Sequence, residues 1–134
     1  MKANKLLIII CICGVFFILN TCNKSERYKH DLSSENHPTR IVKAAYELGE
    51  SKDTSAIKAL LKNILDPRMS TNLRFKGMTV CYCKLVALQK IAGIKSHTQP
   101  NQFGQDTAAV RFYLKWAVDN AFIKTIDEID INYY

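Results

Sequence analysis

The stretch Ala44 to Pro67, AAYELGESKDTSAIKALLKNILDP, constrains the fold more than any other part of the chain. Its second half carries Ala56, Ile57, Leu60, Leu61, Ile64 and Leu65. That spacing makes one stripe on a helix and fits no strand. Lys58, Lys62 and Asn63 fall off the stripe. Asp53 or Thr54 supplies an N-cap, because a short side-chain oxygen accepts from the free N–H groups of a first turn. Pro67 stops the helix, since it disfavours helical geometry at Asp66 and has no N–H to donate. The first half ends another helix, predicted from about Pro38 to Leu48, with Pro38 in its first turn and Gly49 just past its end. Ile41, Ala45 and Leu48 line one face of that helix, and Val42 and Gly49 widen it. Two helices joined by so short a turn lie antiparallel. Each keeps an apolar stripe, so the pair needs a neighbour to cover its outer face.

A weaker copy of the same pattern supplies that neighbour. Met78 to Ala92 reads as a third helix, with Cys81, Leu85, Leu88 and Ala92 in one stripe, Val80 and Ile91 beside it, and Lys84, Gln89 and Lys90 as its polar positions. Gly93 ends it. The fourth helix starts near Asp106 and runs to about Phe122. Asp53-Thr54-Ser55-Ala56-Ile57-Lys58 aligns with Asp106-Thr107-Ala108-Ala109-Val110-Arg111, and Leu61-Lys62 aligns with Leu114-Lys115. Internal similarity of this kind marks stacked helical hairpins. Repeat one spans about 38–67 and repeat two about 78–122. Arg68 to Gly77 and Lys95 to Gly104 are long loops, the first with a helical turn at Ser70 to Phe75. Residues 123–134 form a cap, with Ile126, Ile129, Ile131, Tyr133 and Tyr134 as its packing residues. The expected class is all-α, a short α-α superhelix of two helix hairpins. Two units leave both ends open, so a compact four-helix bundle is the competing architecture.

The pattern A-A-x-x-L-G…D-x-x-A-I-x-x-L-L-x-x-I-L-D-P resembles a HEAT repeat of the short bacterial type, close to the phycobilisome-lyase-like HEAT family. Ala44, Ala45, Leu48, Gly49, Asp53, Ala56, Ile57, Leu60, Leu61, Leu65, Asp66 and Pro67 carry the resemblance. It implies an armadillo-like helical scaffold. Some members of that family attach or remove bilin, so a cofactor-handling role is implied by the resemblance alone.

The first segment stands outside the fold. Lys2 and Lys5 precede a nearly unbroken apolar run from Leu6 to Leu19, too short for a typical membrane-spanning helix. Residues 1–21 therefore read as a secretory signal peptide. The run ends in Leu19-Asn20-Thr21-Cys22, which resembles the site where bacterial lipoproteins are cleaved and acylated on Cys22. Leu19 fits that pattern, and Asn20 and Thr21 depart from its usual small residues. Asn23 leans towards outer-membrane sorting, facing the periplasm. The alternatives are secretion after ordinary cleavage, or an inner-membrane anchor. Residues 22–37 are polar without periodicity and read as a tether.

Little catalytic chemistry stands out. Of five cysteines, Cys11 and Cys13 leave with the signal and Cys22 carries lipid. Cys81 and Cys83 lie two apart on a helix, point to nearly opposite sides and cannot readily bond each other. They read as small buried apolar residues, with a Cys-x-Cys site as the alternative. His30, His37 and His97 lack the spacing of a zinc site. Asp127, Glu128 and Asp130 lack the glycine of a calcium loop. No nucleophile elbow or phosphate loop occurs. The chain is expected to act without catalysis, metal or cofactor.

The formal charge is +7. Lys58, Lys62, Arg111 and Lys115 occupy equivalent positions in the two repeats. They form either an ordinary solvated face or a shallow basic ridge for an acidic protein partner. Nucleic acid fits the charge but not the exported address. Trp116, Phe112 and Tyr113 read as core. The expected function is that of a lipid-anchored envelope protein that binds a protein partner. A small exported immunity or sequestering protein is the alternative.

Overall fold

Two helices side by side form the centre of the protein, and the smallness of their facing residues is the reason. In the computed structural model, which describes residues 24–33, 37–75 and 77–131, α2 (Pro38–Glu50) makes its most extensive contact with α4 (Val80–Ala92). α2 buries Ile41, Val42, Ala44, Ala45, Leu48 and Gly49. α4 buries Val80, Cys81, Cys83, Lys84, Leu85, Ala87 and Leu88, residues that lie on nearly all its faces. A helix covered all round belongs at the centre of a fold rather than at its surface. Thr79 caps α4 by accepting from the Tyr82 N–H at 3.1 Å, and Gly93 closes it in the left-handed region at φ 69°. That conformation costs glycine nothing sterically.

The remaining helices cover this pair. α1 (24–32) precedes it, α3 (Ile57–Leu61) follows a 3-10 turn at Thr54–Ala56, and α5 (Thr107–Asp119) packs on α4. α5 turns Ala109, Val110, Tyr113, Leu114 and Ala117 inward. Asp106 caps it by accepting from the Ala109 N–H at 2.9 Å. Short 3-10 turns occur at Leu73–Phe75 and Ile126–Glu128. The domain is all-α: among the described residues no strand forms, only an isolated bridge between Met69 and Thr79. No helix among them is long and apolar enough to cross a membrane.

The structure departs from the sequence expectations at five places. The spacing predicts a second helix through Leu65, but α3 ends at Leu61 and residues 62–65 form a turn with Asn63 at φ 49°. Ile64 and Leu65 are buried all the same, because the turn folds their side chains back onto the core. The N–H of Asn63 donates to the Asp130 carbonyl at 2.9 Å, and the Lys62 carbonyl accepts from Lys84 Nζ at 2.6 Å. Tertiary partners thus take over backbone groups that a longer helix would have paired.

Gly49 does not lie past the end of α2. It sits within the helix, which continues to Glu50, and it is buried against Ala87. Lys84, expected on a polar face, is 2 % exposed.

The segment expected as a tether is helical over 24–32. Tyr28 and Leu32, one turn apart, pack it on the core, and Ser25 donates to the Asp53 carboxylate ahead of α3. Partial burial raises the Asp53 carboxyl, but hydrogen bonds from Ser25 and Ser55 outweigh that and hold it below its ordinary value.

The C-terminal segment packs as a cap: Ile129 is buried and Ile131 packs beside it, while Ile126 stays exposed. Tyr133 and Tyr134 lie outside the described residues.

Candidate functional site

Tyr82, Val86 and Lys90 follow one another at four-residue steps along α4, so their side chains line up on one face. Cys83 and Ala87 lie beside them. Opposite stands Tyr46 of α2, and the loop ahead of α4 closes the third side with Arg74, Phe75 and Met78. Together these residues enclose a cavity of about 210 Å³.

Local hydrogen bonds shape the loop. Ser70 Oγ accepts from the Asn72 N–H at 3.2 Å, and Asn72 Oδ1 accepts from the Arg74 N–H at 2.9 Å. These short side chains tie the turn that carries Phe75 inward. Phe75 is buried, and its ring meets Tyr46 at a centroid distance of 5.5 Å.

The mouth of the cavity is cationic. The Arg74 guanidinium lies 4.6 Å from the centre of the Tyr46 ring and 5.5 Å from that of Phe75. Lys90 Nζ lies 5.1 Å from the Tyr46 ring and pairs with Glu50. The hydrogen bond from Lys90 holds the Glu50 carboxyl below its usual value. Cys83 lines the wall, and burial pushes its thiol up to about 12. Burial also raises Cys81. Both are free thiols without thiolate character at neutral pH.

Of the residues singled out by sequence, Cys22 lies outside the described residues. Lys58, Lys62, Arg111 and Lys115 are all exposed. Lys58 pairs with Glu128 at 3.6 Å and Lys115 with Asp119 at 3.1 Å. Lys58 and Lys62 line an open trough with Ser33, Ser55, Glu128 and Asp130. Trp116 and Phe112 are half-buried, and Tyr113 is fully buried with its hydroxyl donating to the Ile94 carbonyl at 3.0 Å. No group of three or more metal-ligating side chains gathers among the described residues.

Sequence reasoning missed two features. One is the cavity, whose only periodic signal is the Tyr82, Val86, Lys90 line. The other is the polar cluster beneath α3. There Arg68 forks onto the buried Asp66 carboxylate, with Nε at 2.9 Å and Nη2 at 2.6 Å. The neighbouring Lys84 is held down to about 8 by burial, against the opposing pull of Asp66. Its contacts serve the backbone of the α3 turn, so its role is structural.

No protein-family model, curated protein or solved structure matches this chain.

Proposed function

We propose that the protein is a lipid-anchored module of the bacterial cell envelope that binds an acidic protein partner on a HEAT-like helical scaffold. In this reading the aligned segments 38–67 and 78–122 are two units laid side by side through α2 and α4, although α3 packs on α4 and has little direct contact with α2. The lateral packing of α2 on α4 supports it, as does the burial of the aligned Leu61 and Leu114.

The observation that carries the binding role is an acidic segment already seated beside two of the basic residues, Lys58 and Lys62. Glu128 of the chain's own C-terminal segment pairs with Lys58, and the Asp130 carbonyl accepts from the Asn63 N–H. Lys62 lines the same trough as Lys58, and Arg111 and Lys115 are exposed on α5, where Lys115 already pairs with Asp119; the reading takes these four side chains as the contacts for an acidic partner. Charge of this kind speeds encounter and makes capture sensitive to salt. Acylation of Cys22 would hold the domain at the membrane.

Two measurements test the reading. Palmitate is expected to label the wild-type chain and not Cys22→Ser; equal labelling would remove the anchor. Replacing Lys58, Lys62, Arg111 and Lys115 together with Ala is expected to abolish low-salt capture of partners from solubilised envelope while leaving the helical spectrum intact. Unchanged capture by a folded variant would remove the docking face.

A further inference from the structure

We infer that the cavity between Tyr46 and Lys90 binds a small amphipathic carboxylate, one ring or a short branched chain ending in an acid group. The inference goes beyond partner binding and does not depend on it, because no residue is shared with the basic face.

Size sets the first limit. A dry cavity of about 150 Å³ is enough for benzene. The 210 Å³ here holds one ring and a few further atoms, and excludes a folded partner or a long lipid tail. The walls set the second. Tyr46, Met78, Tyr82 and Val86 are all half-buried around this one hollow. Four large apolar side chains from three segments therefore stay partly uncovered beside a well-packed core. An apolar ligand body would complete their burial.

Charge at the mouth sets the third limit. Arg74 and Lys90 bring two positive charges, and Glu50 answers Lys90. Arg74 lies over the Tyr46 ring; the Glu50 carboxylate feels its charge, but Arg74 forms no ion pair within salt-bridge distance among the described residues, so its fork is open to a ligand. A planar guanidinium fork matches a planar carboxylate through two parallel hydrogen bonds. A single fork suits a monoanion; a phosphate dianion would call for further donors. Burial holds the Cys83 thiol on the wall protonated, which leaves it a poor nucleophile.

The test is a fluorine NMR titration of the full-length chain in phosphatidylcholine nanodiscs, with empty nanodiscs as blank. The probes are 4-fluorophenylacetate and its neutral amide. The acid is expected to bind saturably and about tenfold or more tighter than the amide, the gain of roughly one charge-assisted contact. Arg74→Gln is expected to erase that preference, and Val86→Trp to abolish binding of both probes with the helical spectrum unchanged. If Val86→Trp fails to fold, Arg74→Gln decides alone, since its side chain is exposed. Absence of saturable binding to the wild type, equal affinity for acid and amide, or a preference retained in Arg74→Gln would overturn the inference. The fourfold Lys/Arg variant is expected to bind the acid as the wild type does, so loss of partner capture and loss of this site are separable.

Discussion

Gly49 lies so close to Ala87 that a Cβ built on the glycine would stand 2.8 Å from the Ala87 Cα. The obstacle is backbone of α4 and cannot swing aside as a side chain could. Glycine inside a helix ordinarily costs about 1 kcal/mol relative to alanine, so propensity alone favours Gly49→Ala. Overpacking of a tight contact costs about 1–3 kcal/mol. The second effect is expected to win. Urea unfolding of Gly49→Ala, followed by circular dichroism, is expected to show a lower midpoint than wild type. A higher midpoint would mean that α2 and α4 part without penalty.

Lys84 makes stability depend on pH in a direction that can be worked out. Its folded pKa is about 8 and its ordinary value 10.5, with burial as the leading cause. Between those values the unfolded chain holds a proton that the folded chain has lost. The contribution of Lys84 therefore becomes more favourable as pH climbs through that window, and below it is constant and unfavourable. The full change is on the order of 3 kcal/mol. Cys81 and Cys83 act with the opposite sign, because burial makes the folded state keep their protons longer. The difference in unfolding free energy between wild type and Lys84→Met isolates the lysine. That difference is expected to move in favour of wild type from pH 8 to pH 10.5. A difference that is flat with pH would place the ammonium in water.

Leu61 and Leu114 occupy aligned positions and are 0 % and 3 % exposed. Changing either to Ala is expected to cost about 2–5 kcal/mol, the loss of buried methyl groups plus the cavity left behind. Lys115→Ala, at an exposed site with a pair one turn away, is expected to stay within about 0.5 kcal/mol of wild type. Thermal melts of the three variants check the assignment; a Leu61→Ala melt that overlays wild type would refute it.

Periodicity made α2, α4 and α5 legible, and Gly93 and Asp106 marked a stop and a start that the backbone uses. It reported burial more faithfully than helical geometry. Ile64 and Leu65 belong to the core as their spacing requires, yet the helix has already ended, because Lys84 and Asp130 take the backbone groups of Lys62 and Asn63. Those partners lie far along the chain, where no local pattern can register them. α1 offered only Tyr28 and Leu32 among polar neighbours, too little for a stripe. The cavity was hidden for a similar reason. Half of its wall is a regular line on α4, and the other half comes from Tyr46 and from a loop whose course follows from its hydrogen bonds.

The loops have a consequence for how the protein comes apart. The Thr79 N–H donates to the Gln102 carbonyl at 3.1 Å, the Gln105 side chain reaches the Leu65 carbonyl, and the Val80 N–H donates to the Arg68 carbonyl at 2.9 Å. In a simple array each unit touches only the next, and the end units fray singly. Here the connecting segments are stitched to one another, so opening α5 also releases groups that hold the end of α3 and the start of α4. The slowest amides of α3, α4 and α5 are therefore expected to exchange with solvent at one shared free energy, as a single cooperative unit rather than a ladder of separate openings.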